Sequence, residues 1–204
     1  MLLTQILAIR HGQTDWNAHG RIQGHLDIGL NDAGREQARR LGDALLGQDV
    51  AAVYSSDLQR ARETAAEVSR ATGAGVVLEP ALRERAFGVF EGLTHTEIEQ
   101  RWPEEVRRWR QRDPAFAAQG GETLVEFHAR CVGAAQRLAG AHRGEVIALV
   151  AHGGVMDALY RAALRLPPDA PRTWALRNAS INRLLHGEEG FGLVGWDDGA
   201  HLPA

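Results

Sequence analysis

The sequence contains no lysine: its 23 Lys/Arg side chains are all arginine. That absence excludes Walker-type phosphate loops, Schiff-base chemistry and lysine general bases. Cysteine is almost missing too. The single Cys131 rules out an internal disulfide and any C-x-x-C metal or redox site, so a reducing compartment, the cytoplasm, is expected. No run approaches the roughly 20 apolar residues of a membrane-spanning helix. The apolar start "MLLTQILAI" lacks a basic leader and a small-residue cleavage site, reads as a first strand, and gives no reason to expect a membrane partner. With a net charge of −3, the chain offers nucleic acid no long-range attraction, and no nucleic-acid partner is expected.

What is present has the patterning of a globular protein. At 204 residues the chain suits one domain, 1–204. "QILAIR", "VAAVYSS", "GVVLEP" and "EVIALVAHGG" read as strands. Helices are expected from Asn31, through "DLQRARETAAEVSRATG", over about 122–140 and over "VMDALYRAALRL", which is stopped by Pro167 and Pro168. Helical pieces fill about 94–112, and "ASINRLLHG" with "GFGLVGW" reads as a C-terminal hairpin. Strands alternating with helices predict an α/β three-layer sandwich, a central and mostly parallel sheet flanked by helices. Ligands of such sheets bind beyond the carboxyl ends of the strands. Arg10 and His11 leave one such end, Ser55 and Ser56 a second, and His152 a third.

"RHGQTDWN", "SSDLQRARETA", "LRERAFGVFEG", "GGETL" and "VAHGG" together resemble the histidine phosphatase superfamily, the phosphoglycerate mutase-like family, in its short bacterial phosphatase branch. The resemblance spans nearly the whole chain and departs at "LDIGLN", where Gly29 stands in place of the family's usual proline. It implies a small helical cap inserted at about 92–120 and a catalytic set of His11, Arg10, Arg60, Glu84 and His152. His11 would attack phosphorus and become a phosphohistidine, Arg10, Arg60 and His152 would grip the phosphoryl oxygens, and Glu84 would protonate the leaving oxygen. Asn17 and the Gly153 N–H would add hydrogen bonds to the phosphoryl group, with Thr14 and Gln23 as further phosphate-binding neighbours. No metal and no cofactor are implied. Small members of the family are often dimers, so a homodimer is expected.

The chemistry agrees with those residue types. Phosphoryl transfer depends on positioning and on stabilising charge at the equatorial oxygens. Without lysine, that task falls to arginine, whose planar fork binds phosphate in bidentate fashion. Two guanidinium groups would also keep a neighbouring imidazole neutral and nucleophilic.

The function expected is a metal-independent phosphomonoesterase acting on a small phosphorylated metabolite. The alternatives are a cofactor-dependent phosphoglycerate mutase and a catalytically inactive binding module. Hydrolysis is preferred because the insertion is short and "GVFEGLTHTE" holds no basic residue for a second anionic group. Histidines 19, 25, 95, 128, 142, 186 and 201 lack metal-ligand spacing and read as structural or surface. The 94–130 region reads equally as a substrate-selecting cap and as an amphipathic pair with arginines solvated or paired to Glu104 and Glu105.

Overall fold

A computed structural model describes residues 2–203. Its strands are β1 (Thr4–Arg10), β2 (Ala52–Ser55), β3 (Val76–Leu78), β4 (Val146–Ala151), β5 (Ile181–Gly187) and β6 (Gly190–Asp198). They form one sheet in the order β3-β2-β4-β1-β5-β6. β1, β2, β3 and β4 are parallel, while β5 runs antiparallel to β1 and forms the expected hairpin with β6.

Both faces of β1 and β4 are covered, which is why these strands read as continuous apolar runs rather than alternating ones. Ile6, Ala8, Ile147 and Leu149 pack on one side with Phe127, Leu138, Met156 and Leu159. These come from α6 (Leu124–Gly140) and α7 (Gly153–Leu164). Leu7, Ile9, Ala148 and Val150 face the other side and meet Leu41, Ala61, Ala65 and Val68. Those belong to α2 (Asp32–Ala44) and α3 (Gln59–Thr72). The three layers of the expected sandwich are present.

Helix ends follow their signals. Asn31 caps α2 by accepting the Gly34 N–H at 2.8 Å, and Thr123 with Glu126 forms a capping box on α6. α7 ends at Leu164 with Arg165 in the left-handed region, two residues before Pro167. Among the described residues no helix is long and apolar enough to cross a membrane.

α4 (His95–Arg101) and α5 (Pro103–Arg110) lie in the region where the insertion is expected. Phe90, Ile98, Val106, Phe116 and Ala118 form a third, small core there, with Trp102 and Trp109 against it. Arg107 pairs with Glu104 as expected, whereas Arg110 takes Glu99 and Arg108 takes Asp113, so Glu105 is not used. The amphipathic-pair reading therefore describes the packing. His95 and Trp109 also reach the openings described next.

Candidate active site

The carboxyl ends of β1, β2 and β4 lie side by side, and the residues leaving them converge. His11 is 3 % exposed. Its Nδ1–H donates to the Gly12 carbonyl at 2.7 Å; because a carbonyl only accepts, the proton sits on Nδ1 and Nε2 keeps its lone pair. Burial, then the Arg60 and Arg10 charges, hold its pKa well below the ordinary 6.5. The ring is neutral across the physiological range. Gly12 has to be glycine because a Cβ there would meet the backbone carbonyl of Gly34 in the first turn of α2.

Arg60, in the first turn of α3, is fully buried and uses three of its five N–H groups on the protein. Nη2 donates to the Gly24 carbonyl at 2.8 Å, Nη1 to Leu26 at 2.9 Å and Nε to His152 Nδ1 at 3.2 Å. One N–H on each Nη remains, and the side chain lines the cleft. Burial lowers its pKa to about 10, which leaves it charged at neutral pH. A lysine there would keep the charge but could not reproduce this fork or strap the 24–26 loop. Arg10 donates Nη1 to the Leu176 carbonyl at 2.7 Å, while its Nε is buried with no partner. Gly153 lies against that guanidinium, and as the first residue of α7 its N–H is not used by the helix.

His152 lies beside His11 and Arg60. It is fully buried, 5.1 Å between ring centroids from His11, and is not among the residues lining the cleft. Nδ1 accepts from Arg60, so the neutral ring carries its proton on Nε2 and donates it to Ser56 Oγ at 2.8 Å. Both nitrogens are taken. In this arrangement His152 orients Arg60.

Glu84 is brought in from the loop after β3. Its Oε1 accepts the Arg85 N–H at 2.8 Å and its Oε2 the Gly154 N–H at 2.9 Å. A Cβ at Gly154 would meet Glu84 Oε1, so any larger residue there would displace the carboxylate. The loop itself is held by groups that no local pattern marks. Arg130 donates to the carbonyls of Ala81, Arg83 and Glu84 and pairs with Glu122, which also accepts the Ala86 N–H. His25, read as surface, donates Nε2–H to the Glu84 carbonyl at 2.8 Å because its loop packs onto this one.

Asn17 and Gln23 line the cleft. Thr14 does not. It is fully buried and caps α1 (Asp15–Ala18), accepting the Asn17 N–H at 3.1 Å and contacting Gln23 Oε1 at 3.1 Å. It therefore positions the two residues that do face the cleft. Asn178 was not legible in the sequence. Its Nδ2 donates to the His11 carbonyl at 3.0 Å and lies 3.3 Å from Asn17 Oδ1. Arg21, Phe87, His95 and Arg172 complete an open cleft of about 350 Å³. His95, read as structural, stacks on Trp109 with ring centroids 5.1 Å apart and still faces this opening. Among the described residues no three His, Cys, Asp or Glu side chains are gathered as metal ligands.

Residues 6–199 match the histidine phosphatase superfamily, branch 1. The chain belongs to that family. This histidine phosphatase is 41 % identical to "Phosphoglycerate mutase-like protein 4" of Arabidopsis thaliana over 203 residues, covering 97 % of this chain and 86 % of the relative. It is 36 % identical over 204 residues to the Arabidopsis thaliana "Metal-independent phosphoserine phosphatase", covering 98 % and 84 %. The solved structure of a mycobacterial glucosyl-3-phosphoglycerate phosphatase complexed with VO3 superimposes with a TM-score of 0.85 at 34 % identity, over 95 % of this chain and 98 % of that one. The mixed sheet and its flanking helices are those of the family.

Proposed function

We propose that this histidine phosphatase is a metal-independent phosphomonoesterase acting on a small phosphorylated metabolite through a phosphohistidine. The observation that carries the reading is the unprotonated Nε2 of buried His11 beside the buried Arg60 guanidinium and the half-buried Arg10 one, both with N–H donors to spare. Nε2 attacks phosphorus and the bond from phosphorus to the alcohol oxygen breaks, with Glu84 giving that oxygen its proton. Arg10, Arg60, Asn17, Gln23 and the Gly153 N–H hold the charge on the phosphoryl oxygens. Water then attacks phosphorus, Glu84 takes its proton, and the electrons of the N–P bond return to Nε2. Phosphate leaves and the enzyme is restored. His152 and Thr14 are positioning residues in this scheme. The Arabidopsis thaliana relative named metal-independent phosphoserine phosphatase supports hydrolysis without metal.

The test is release of inorganic phosphate from p-nitrophenyl phosphate in excess EDTA. Undiminished turnover is expected. Loss of turnover that added metal restores would overturn the metal-independent reading, and absence of turnover in any buffer would favour an inactive binding module. Transfer of the phosphoryl group to a second hydroxyl, with no phosphate released, would turn the assignment toward a mutase.

A cytoplasmic setting belongs to the same proposal, supported by one buried and unpaired cysteine, Cys131, whose thiol pKa burial raises. So does a homodimer. The edge strand β3 leaves Val76, Val77 and Leu78 exposed, a margin that self-pairing would cover. Sedimentation at the mass of one chain would remove the dimer.

A further inference from the structure

Residues 176–180, which lead into β5, are bonded along the end of β1. The Ala179 N–H donates to the Arg10 carbonyl at 3.0 Å and the His11 carbonyl at 3.2 Å, and the Leu176 carbonyl accepts Arg10 Nη1 at 2.7 Å. The segment is itself held from behind. Asp197 Oδ1 accepts the Arg177 N–H at 2.7 Å, and His201 donates Nε2–H to the Ala179 carbonyl at 2.9 Å. These bonds keep the fully buried Ala179 at a φ of 55°, in the left-handed region that residues with a Cβ rarely adopt. Backbone strain of that kind persists only where the surroundings over-determine it, and it clusters at active sites.

The side chain aimed by this segment is Asn178. Its Nδ2 has two hydrogens and faces three oxygens: the His11 carbonyl at 3.0 Å, the Gly12 carbonyl at 3.3 Å and Asn17 Oδ1 at 3.3 Å. Two of these bear directly on the phosphoryl site. The Gly12 carbonyl also accepts His11 Nδ1–H and so sets the tautomer of the nucleophile. Asn17 Oδ1 also accepts the Thr14 N–H at 3.1 Å. With the oxygen end of its amide held on these donors, Asn17, which lines the cleft, has its Nδ2 hydrogens to offer a phosphoryl oxygen.

We propose that Asn178 is a positioning residue for phosphoryl transfer: it holds the turn that orients His11 and fixes the Asn17 amide with its N–H groups toward the phosphoryl oxygens. The proposal rests on the phosphomonoesterase reading above. Asn178 acts through His11 and Asn17, and misplacing such groups by about 1 Å costs on the order of 10²-fold.

Asn178→Asp isolates the two donors, because it keeps the shape of the side chain and sets an oxygen against three acceptor oxygens. Its kcat/KM on p-nitrophenyl phosphate is expected to fall by about 10- to 100-fold, and inorganic phosphate should inhibit it about fivefold more weakly. Asn178→Ala should lose about tenfold, and clearly less once Asn17→Ala is already present, since part of what Asn178 holds is then gone. Asn178→Ser, which keeps one O–H donor, should recover part of the loss and serves as the readout if the Asp variant lacks a cooperative thermal transition. Wild-type kcat/KM and phosphate inhibition in Asn178→Asp, fully multiplicative losses in the Asn17 and Asn178 pair, or a Ser variant no better than Ala would make Asn178 a purely structural contact and overturn the proposal while the phosphatase reading stands. A wild type that does not turn over p-nitrophenyl phosphate overturns that reading and the proposal with it.

Discussion

His11→Ala is expected to lower turnover by on the order of 10⁴-fold or more and to abolish the phosphoenzyme. The reason is specific to the site: His11 is held between the Arg10 and Arg60 charges with its Nε2 lone pair free. His152 is the nearest imidazole, but its lone-pair nitrogen accepts from Arg60 and its other nitrogen donates to Ser56. Rapid acid-free quench of the wild type with labelled ester should trap phosphate on His11. The pH profile gives a second reading. The pKa of free His11 is held well below 6.5, so the charged, non-nucleophilic form builds up only well below pH 6.5. The acid limb of kcat/KM should accordingly lie below that value rather than at it. Normal turnover by His11→Ala, or an acid limb centred on 6.5, would mean that water attacks phosphorus directly or that the ring is not enclosed as described.

Much of this site was legible because its principal members sit where a periodic strand ends. β1 and β4 are apolar at consecutive positions because both faces are buried, and such a run stops abruptly at the residues that follow it, Arg10, His11 and His152. Parallel strands then bring those ends to one edge whatever the sequence between them. The supporting contacts had no such signal. Asn178 bonds a carbonyl 167 positions away, and Arg130 organises the Glu84 loop from 46 positions away, both through side-chain to backbone contacts that no periodicity encodes. His25, His95 and Arg172 come from irregular segments or a helix start, where position in the chain says little about position in space. Thr14 and His152 show the converse. The sequence places both near the ends of β1 and β4, but which way each polar atom faces depends on partners such as Gln23, Arg60 and Ser56 that only the folded chain supplies.

Glu84→Gln separates proton donation from mere anchoring. A general acid contributes about 10²–10⁴-fold, in proportion to the basicity of the leaving oxygen. An alkoxide needs its proton, whereas p-nitrophenolate departs readily without one. The variant should therefore lose on the order of 10²-fold or more in kcat/KM on alkyl phosphates and much less on p-nitrophenyl phosphate. The competing role is visible in the structure: Glu84 accepts N–H groups of Arg85 and Gly154, and loosening that link would disturb the loop and α7 together. Disturbed geometry would slow both ester types alike, since both need His11 and the arginines in place. Gly154→Ala offers an independent approach to the same question. Its Cβ would collide with the far end of the flexible Glu84 side chain, moving the carboxylate while leaving its chemistry intact. If Glu84 is the acid, Gly154→Ala must also hurt alkyl phosphates more than p-nitrophenyl phosphate. A ratio of wild type to variant that stays flat across leaving groups of graded basicity, in both variants, would reduce Glu84 to a structural anchor and require another source for the proton.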